Sequence, residues 1–296
     1  MADTQFLKAP PGFTPEARAR FERDGFVTIE NAIPEADVER YLAAIERVTS
    51  RDPNYDPAKF YDRDNVVELD PVFAEIIDHP RHVGIFYDFF GELLKLHLSQ
   101  FFCRPPGGEH NKWHYDGPRA VPYTTFSPTL PLCMKVAYWL TDLPEPGMGN
   151  MVLMPGSHRQ PYFDHYDTWE SVPGEHIVCA RKGTMTIVHS SIWHRVEPNR
   201  STVTRKNLFY AYCPSFVTPQ DRYQSNPAWL ATLTRERRII MRSYAYPYDN
   251  SKPPAEDFPL YLDRETGLDH DLGMYKEHVI LSRRKRKVLH EKPREA

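Results

Sequence analysis

The sequence is poor in glycine and cysteine, with 14 and 4 residues of 296 against 28 prolines. Its cysteines, Cys103, Cys133, Cys179 and Cys213, form no C-x-x-C pair. That spacing excludes a disulfide framework and a zinc knuckle, and leaves reduced thiols. Charge of one sign is lacking too: 37 basic and 40 acidic side chains give a net charge of -3. So balanced a chain sets up no global field for nucleic acid or an anionic membrane, and neither is expected as a partner. No uncharged apolar run approaches the ~20 residues of a membrane span. The N-terminal stretch from Met1 to Pro11 holds no basic segment followed by an apolar one, and the closing Arg-Glu-Ala is not a Ser-Lys-Leu address. The expected location is therefore cytoplasmic.

What is present is an ordinary globular composition, 41% hydrophobic and 26% charged. It excludes collagen, coiled coil and a natively unfolded chain. The scattered prolines point to many short elements joined by rigid turns. We expect a single domain over 1–296, with a helical N-terminal support over 1–95, a β core over 96–216 and a C-terminal extension over 217–296. Thr14 as N-cap, with Pro15 and Glu16 in the first turn, predicts a helix over 14–24 that Gly25 stops. Phe26, Val27 and Ile29 predict a strand; Val38, Leu42 and Ile45 predict a helix over 34–48, and a third is expected over 71–94. Short apolar or alternating runs follow at Leu96–Cys103, Leu132–Thr141, Met151–Met154, Thr184–His189 and Asn207–Cys213. This is the pattern of a mainly β, sandwich or barrel core with flanking helices packed outside it. Helix returns over 226–244, and Arg283–Lys287 reads as a solvated charge run in a basic tail.

Trp113-His114-Tyr115-Asp116 sets an imidazole and a carboxylate two residues apart, on one face of a strand. Both can then reach one ion, supplying two faces of a 2-His-1-carboxylate site. The spacing recurs at His165-Tyr166-Asp167, but there it lies in a polar stretch with Asp164, Glu170 and Pro173. His114 and Asp116, between strand candidates, are favoured. For the second histidine His158, His189 and His194 all remain open, since Arg200 follows His189 and Arg205 follows His194 by the same eleven residues.

Several segments together resemble the phytanoyl-CoA dioxygenase (PhyH) family. They are Phe21–Phe26 (FERDGF), Trp113–Gly117 (WHYDG), Leu140–Leu143 (LTDL), Gly149–His158 (GNMVLMPGSH) and Trp193–Ser201 (WHRVEPNRS), followed by Thr204–Lys206. The resemblance runs in order from about residue 18 to 216. It implies a double-stranded β-helix, the jelly roll of cupin-like proteins, with the N-terminal helices outside. It also implies Fe(II), 2-oxoglutarate as cosubstrate and O2. By this resemblance His114, Asp116 and His194 are the iron ligands, and Arg205 grips the far carboxylate of 2-oxoglutarate. A planar guanidinium suits that task, because it binds a carboxylate through two parallel charge-assisted bonds.

One position departs from the family: Val196 stands where some relatives carry a hydroxyl that helps hold 2-oxoglutarate. Lys135, on the same strand face as Ala137 and Trp139, is a candidate to share the carboxylate. Halogenating relatives replace the metal carboxylate with Ala or Gly, so Asp116 favours hydroxylation over halogenation, while desaturation, epimerisation and ring closure use the same ligand set and stay open. The substrate implied is a small or medium organic molecule, oxidised with release of succinate and CO2. Candidate substrate residues are Arg119, Tyr123 and Phe126, in a covering loop over 118–131, and Trp139. The rival readings are a non-catalytic metal-binding jelly roll and a cupin-like metalloenzyme without cosubstrate, for which Arg205 would have no use.

Overall fold

Alternation of side chains along the strands decides the architecture of this protein. The computed structural model describes residues 9–107, 111–116, 131–159, 168–222, 224–241 and 260–261. In chain order the elements are α1 (Pro15–Asp24), β1 (Phe26–Ile29), α2 (Glu35–Thr49), β2 (Tyr61–Asp64), α3 (Pro71–Ala74), α4 (Val83–Phe90), β3 (Leu94–Arg104), β4 (Asn111–His114), β5 (Met134–Trp139), β6 (Met151–Leu153), β7 (His176–Ile177), β8 (Met185–His189), β9 (His194–Val196), β10 (Arg205–Pro214), α5 (Pro227–Leu230) and α6 (Arg235–Met241). The strands form two antiparallel sheets, a six-stranded one ordered β1-β8-β5-β10-β3-β2 and a four-stranded one ordered β4-β9-β6-β7.

Two apolar clusters follow from this period of two. On β5 and β10, Val136, Tyr138, Leu208, Tyr210 and Tyr212 turn outward and pack with Phe21 of α1, Tyr41 and Ile45 of α2 and Phe86 of α4. Ala137, Trp139 and Phe209 turn the other way and meet Met151 and Leu153 of the smaller sheet. Facing antiparallel sheets with helices on one outer face are the expected jelly roll, here with sheets that do not close on each other. Among the described residues no helix is long and apolar enough to cross a membrane.

The first helix begins as its sequence dictates: Thr14 accepts a hydrogen bond from the Ala17 N–H and Pro15 occupies the first turn. Gly25 ends it at φ 83°, and a Cβ there would lie 2.5 Å from His158 Nδ1. Both the left-handed turn and the close approach require glycine.

The expected third helix is a correction. It breaks into α3 and α4, joined by tight turns around Pro80. Proline lacks the N–H that a continuing helix needs and turns the preceding residue away from helical geometry. The N-terminal support also contributes β1 and β2, the two edge strands of the larger sheet. The expected helix over 226–244 is likewise two short ones, α5 and α6, while 242–244 lie outside the described residues.

Asp70 shows how the helical layer is tied together. It caps α3 by accepting from the Val72 N–H at 3.0 Å, and it bridges to Arg47 of α2 at 2.8 and 3.0 Å. Burial alone would raise the pKa of this carboxyl, but the Arg47 guanidinium and the Val72 N–H outweigh it and hold the value low. Asp70→Ala is expected to lower stability by about 1–2 kcal/mol in urea melts at pH 7, mostly through the lost cap because Arg47 is largely solvated. The folded pKa is depressed, so the charge-dependent share of this contribution is present above about pH 4 and lost as pH falls further. Equal stability of variant and wild type at pH 7 would contradict the assignment.

Candidate metal centre

The smaller sheet places two histidines side by side. His114 of β4 and His194 of β9 are cross-strand partners, with ring centres 4.2 Å apart. Asp116 follows two residues after His114, and its backbone N–H donates to the Ser190 carbonyl at 3.0 Å, which fixes the chain just past the strand end. One ligand atom from each of His114, Asp116 and His194 lies within 4.8 Å of the other two. His194 Nε2 stands 3.2 Å and His114 Nε2 3.9 Å from the Asp116 carboxylate.

Both rings are oriented from behind. His114 Nδ1 lies 2.7 Å from the Lys112 carbonyl, and His194 Nδ1 lies 3.0 Å from that of Ile192. A carbonyl only accepts, so each Nδ1 carries a proton, and Nε2 is the ring nitrogen that faces Asp116 and is left to bind a metal ion. Burial, with the second imidazole beside it, pushes His114 down to about 4, so it is neutral at pH 7. Burial by itself would raise Asp116, but Lys135 and the two histidines hold its carboxyl well below the usual range. Lys135 Nζ bonds that carboxylate directly. Two imidazole nitrogens and one carboxylate oxygen, with a side left open, are a donor set for a divalent transition ion.

These residues line a cavity of about 260 Å³ between the sheets, together with Arg104, Lys135, Arg205, Phe60, Phe102 and Phe209. Arg205 is buried at the start of β10, and its guanidinium donates to the Gly149 carbonyl. Among the described residues it makes no ion pair, and its Nε has no hydrogen-bond partner. Burial, and then the neighbouring charge of Arg104, disfavour the cation. A guanidinium does not give up its proton in a protein, so this is a buried positive charge with no ionic partner among the described residues.

Lys135 sits elsewhere. It pairs with Ala211 across β5 and β10, six residues along the strand from Arg205. At ~3.3 Å per residue the two backbones are ~20 Å apart. Lys135 meets Asp116, at the metal-cluster end of the cavity. Trp139 does not line the cavity: its indole N–H donates to Thr186 Oγ1 at 3.0 Å, and its ring lies 5.7 Å from the Arg205 guanidinium carbon. It supports the arginine from the inter-sheet core.

Arg119, Tyr123 and Phe126, with almost all of the expected loop, lie outside the described residues, as do His165 and Asp167. His158 and His189 are kept away from the metal centre. His158 Nε2 donates to the Glu22 carbonyl at 3.1 Å, while His189 Nδ1 accepts from the Ser191 N–H at 3.0 Å at the end of β8. Sequence reasoning missed Arg104. The parity of β3 was the available signal, since Leu98, Gln100 and Phe102 line the cavity and Arg104 is next in that series.

Comparison with known proteins agrees with this geometry. The chain is 27% identical over 161 residues to a probable alpha-ketoglutarate-dependent hypophosphite dioxygenase of Stutzerimonas stutzeri, covering 49% of this chain and 52% of that one. It is 29% identical to an ectoine dioxygenase of Bordetella bronchiseptica, over 47% of this chain and 48% of the other. The chain thus spans about half the length of these two curated relatives. Against an ectoine dioxygenase of Stutzerimonas stutzeri strain A1501 the identity is 26%, over 77% of this chain and 86% of that one.

In fold it is similar to HygX from Streptomyces hygroscopicus, solved with nickel and 2-oxoglutarate bound, at TM-score 0.62 and 18% identity over 71% of this chain and 90% of that one. It is also similar to SnoK, a non-heme alpha ketoglutarate dependent carbocyclase from nogalamycin biosynthesis, at TM-score 0.57 and 20% identity, covering 75% and 91%. Residues 21–207 match the family described as Phytanoyl-CoA dioxygenase (PhyH), and with well over half of its length matched the chain belongs to that family.

Proposed function

We propose that this chain is a cytoplasmic Fe(II)- and 2-oxoglutarate-dependent dioxygenase that hydroxylates an unactivated C–H bond of a small or medium organic molecule, consuming O2 and releasing succinate and CO2. The observation that carries this reading is a single cavity shared by the His114–Asp116–His194 cluster and the buried cation of Arg205. A cosubstrate-free metal site has no need of that cation. Iron bound there, with 2-oxoglutarate and O2, would supply oxidising power that no side chain possesses.

The protein's own part is positioning. The Lys112 and Ile192 carbonyls hold His114 and His194 in the tautomer that presents Nε2. Lys135 holds the Asp116 carboxylate in place. Arg205 binds the far carboxylate of 2-oxoglutarate, and Phe60, Phe102 and Phe209 keep water from that part of the cavity. Retention of Asp116 supports hydroxylation over halogenation. The relatives named for ectoine and hypophosphite support a small substrate.

The test is anaerobic visible absorption of the purified chain on adding Fe(II) and then 2-oxoglutarate. Wild type is expected to develop a weak charge-transfer band. Loss of a charge-assisted contact predicts that Arg205→Ala will need ~10–100-fold more 2-oxoglutarate for the same band. Metal binding without any band in wild type would instead favour the non-catalytic or cosubstrate-free reading.

A further inference from the structure

The edge strand β2 sorts its charges by face. In Tyr61-Asp-Arg-Asp64, residues two apart share a side. Tyr61 and Arg63 line a groove against the end of α2, with Val48, Arg51 and Asp52. Asp62 instead lines the metal cavity, and Asp64 accepts from the amide of Gln100, another residue of the cavity wall. Charge on an edge strand deters pairing with another chain, but either sign on either face meets that need. It does not account for both acids lying on the cavity side with the arginine turned away.

Two carboxylates from the described residues line the cavity. Asp116 is engaged by Lys135 and the two histidines. Asp62 makes no side-chain hydrogen bond or ion pair among the described residues. Its cross-strand partner is Phe102, so it stands at the outer edge of the aromatic wall. Asp62 and Gln220 are exposed while lining the cavity, and so mark its mouth. Gln220 is held there by the segment after β10, which is clamped along the edge of β3 beyond the end of β2. The Gln220 N–H donates to the His97 carbonyl at 2.8 Å, Asp221 accepts from the Ser99 N–H at 2.9 Å, and Arg222 donates to the Leu96 carbonyl at 2.8 Å. Gln100 gives its amide N–H to Asp64, which leaves its oxygen free to accept. Burial, and then the charges of Asp62 and Asp221, push the Asp64 carboxyl up. A mouth rich in acceptors, with an unengaged carboxylate and a second one beside it, suits a ligand that brings donors and positive charge.

We infer that Asp62 is a specificity-determining residue, and that this chain acts on substrates carrying an ammonium or amidinium group, which Asp62 holds at the mouth of the metal cavity. This rests on the proposed 2-oxoglutarate dependence, which assigns Arg205 to the cosubstrate and leaves Asp62 to the substrate.

The experiment uses the full chain loaded with Fe(II) and 2-oxoglutarate in the absence of O2. The probes are cyclohexylammonium, cyclohexanol and cyclohexanecarboxylate, one ring with a cationic, a neutral or an anionic group. Binding to wild type, Asp62→Asn and Asp62→Lys is measured by calorimetry and by the shift of the visible band, with a thermal melt of each protein. Wild type is expected to prefer the ammonium to the alcohol by ~3–10-fold, the worth of one charge-assisted contact at a solvated mouth, and to bind the carboxylate most weakly. Asp62→Asn is expected to erase the preference while leaving the alcohol within about twofold, and Asp62→Lys to reverse it toward the carboxylate. A wild type that binds the three probes alike, or none of them, overturns the inference. So does a preference that survives in Asp62→Asn, or an equal loss of all three probes there, which would mark a structural role. Iron binding with no band in wild type overturns the proposed dependence, while the calorimetric ranking, which needs no band, upholds or overturns the role of Asp62 separately.

Discussion

Asp116→Ala is expected to lower divalent-metal affinity by more than the ~10–100-fold typical of changes behind a metal ligand, and to abolish any turnover that depends on the metal. Two effects act together. The variant loses one of three donors, and it leaves the Lys135 ammonium facing His114 and His194 without the carboxylate it bonds in wild type. A cation next to the two imidazoles then repels an entering metal ion. Asp116→Asn keeps the shape and loses the charge, so it is expected to bind metal more weakly than wild type and better than the alanine variant. Lys135→Met leaves all three donors in place, and its effect should stay within the ~10–100-fold range of an orienting partner. Fe(II) or Mn(II) titration of the apoprotein measures all four proteins, with a thermal melt to verify that each is folded. Wild-type affinity in Asp116→Ala would remove this cluster from consideration as the metal centre.

The two-residue spacing of His114 and Asp116 was legible because strand parity is local. Choosing His194 over His158 and His189 was not, because the pairing of β4 with β9 joins residues 80 apart and nothing in either segment announces it. There the resemblance carried the choice. Once folded, the three histidines are told apart by what occupies their nitrogens: His158 is taken by the Glu22 carbonyl and His189 by the Ser191 N–H.

The same division runs through the fold. The cap at Thr14 and the stop at Gly25 are local signals and marked α1 correctly. Tyr61-Asp-Arg-Asp64 carries no apolar alternation, yet it forms β2, because an edge strand with one partner can be charged throughout and is protected from aggregation by that charge. The apolar run after Pro71 masked the break at Pro80. Periodicity was weighed above the proline, and the proline prevailed. Arg104 was lost by ending its strand at Cys103, one residue before the next inward position.

A second large effect is expected at His82, on the far side of the larger sheet from the metal centre. Its imidazole is fully buried, with Nδ1 2.5 Å from the Tyr138 hydroxyl and Nε2 2.7 Å from that of Tyr212. Tyr212 donates onward to the Ile77 carbonyl at 2.8 Å, so its oxygen accepts from His82 Nε2–H, and His82 Nδ1 accepts from Tyr138. Only the neutral ring satisfies this chain. Protonating Nδ1 would turn the Tyr138 hydroxyl into an acceptor, leave its own proton without an acceptor among the described residues, and bury a charge. Burial, with His79 stacked nearby, accordingly holds the imidazole well below its ordinary value. The sign follows: the unfolded chain takes up the proton near pH 6.5 and the folded one resists it, so stability falls as pH drops below that value.

The slope from this one group approaches ~1.4 kcal/mol per pH unit. His79, His97, His158 and His176 are also pushed down by burial and add a background in the same direction. Urea melts of wild type and His82→Gln at pH 7.5, 6.5 and 5.5 separate the two. Glutamine can donate and accept but does not titrate. The variant is expected to be less stable by ~1–3 kcal/mol at pH 7.5, through imperfect hydrogen bonds to two buried hydroxyls. Its stability should then fall with acid more gently than that of wild type, and the two curves converge. Parallel curves would mean that His82 is not held neutral by the fold. The consequence reaches the cavity, because Tyr138 and Tyr212 belong to β5 and β10, whose opposite faces carry Lys135 and Arg205.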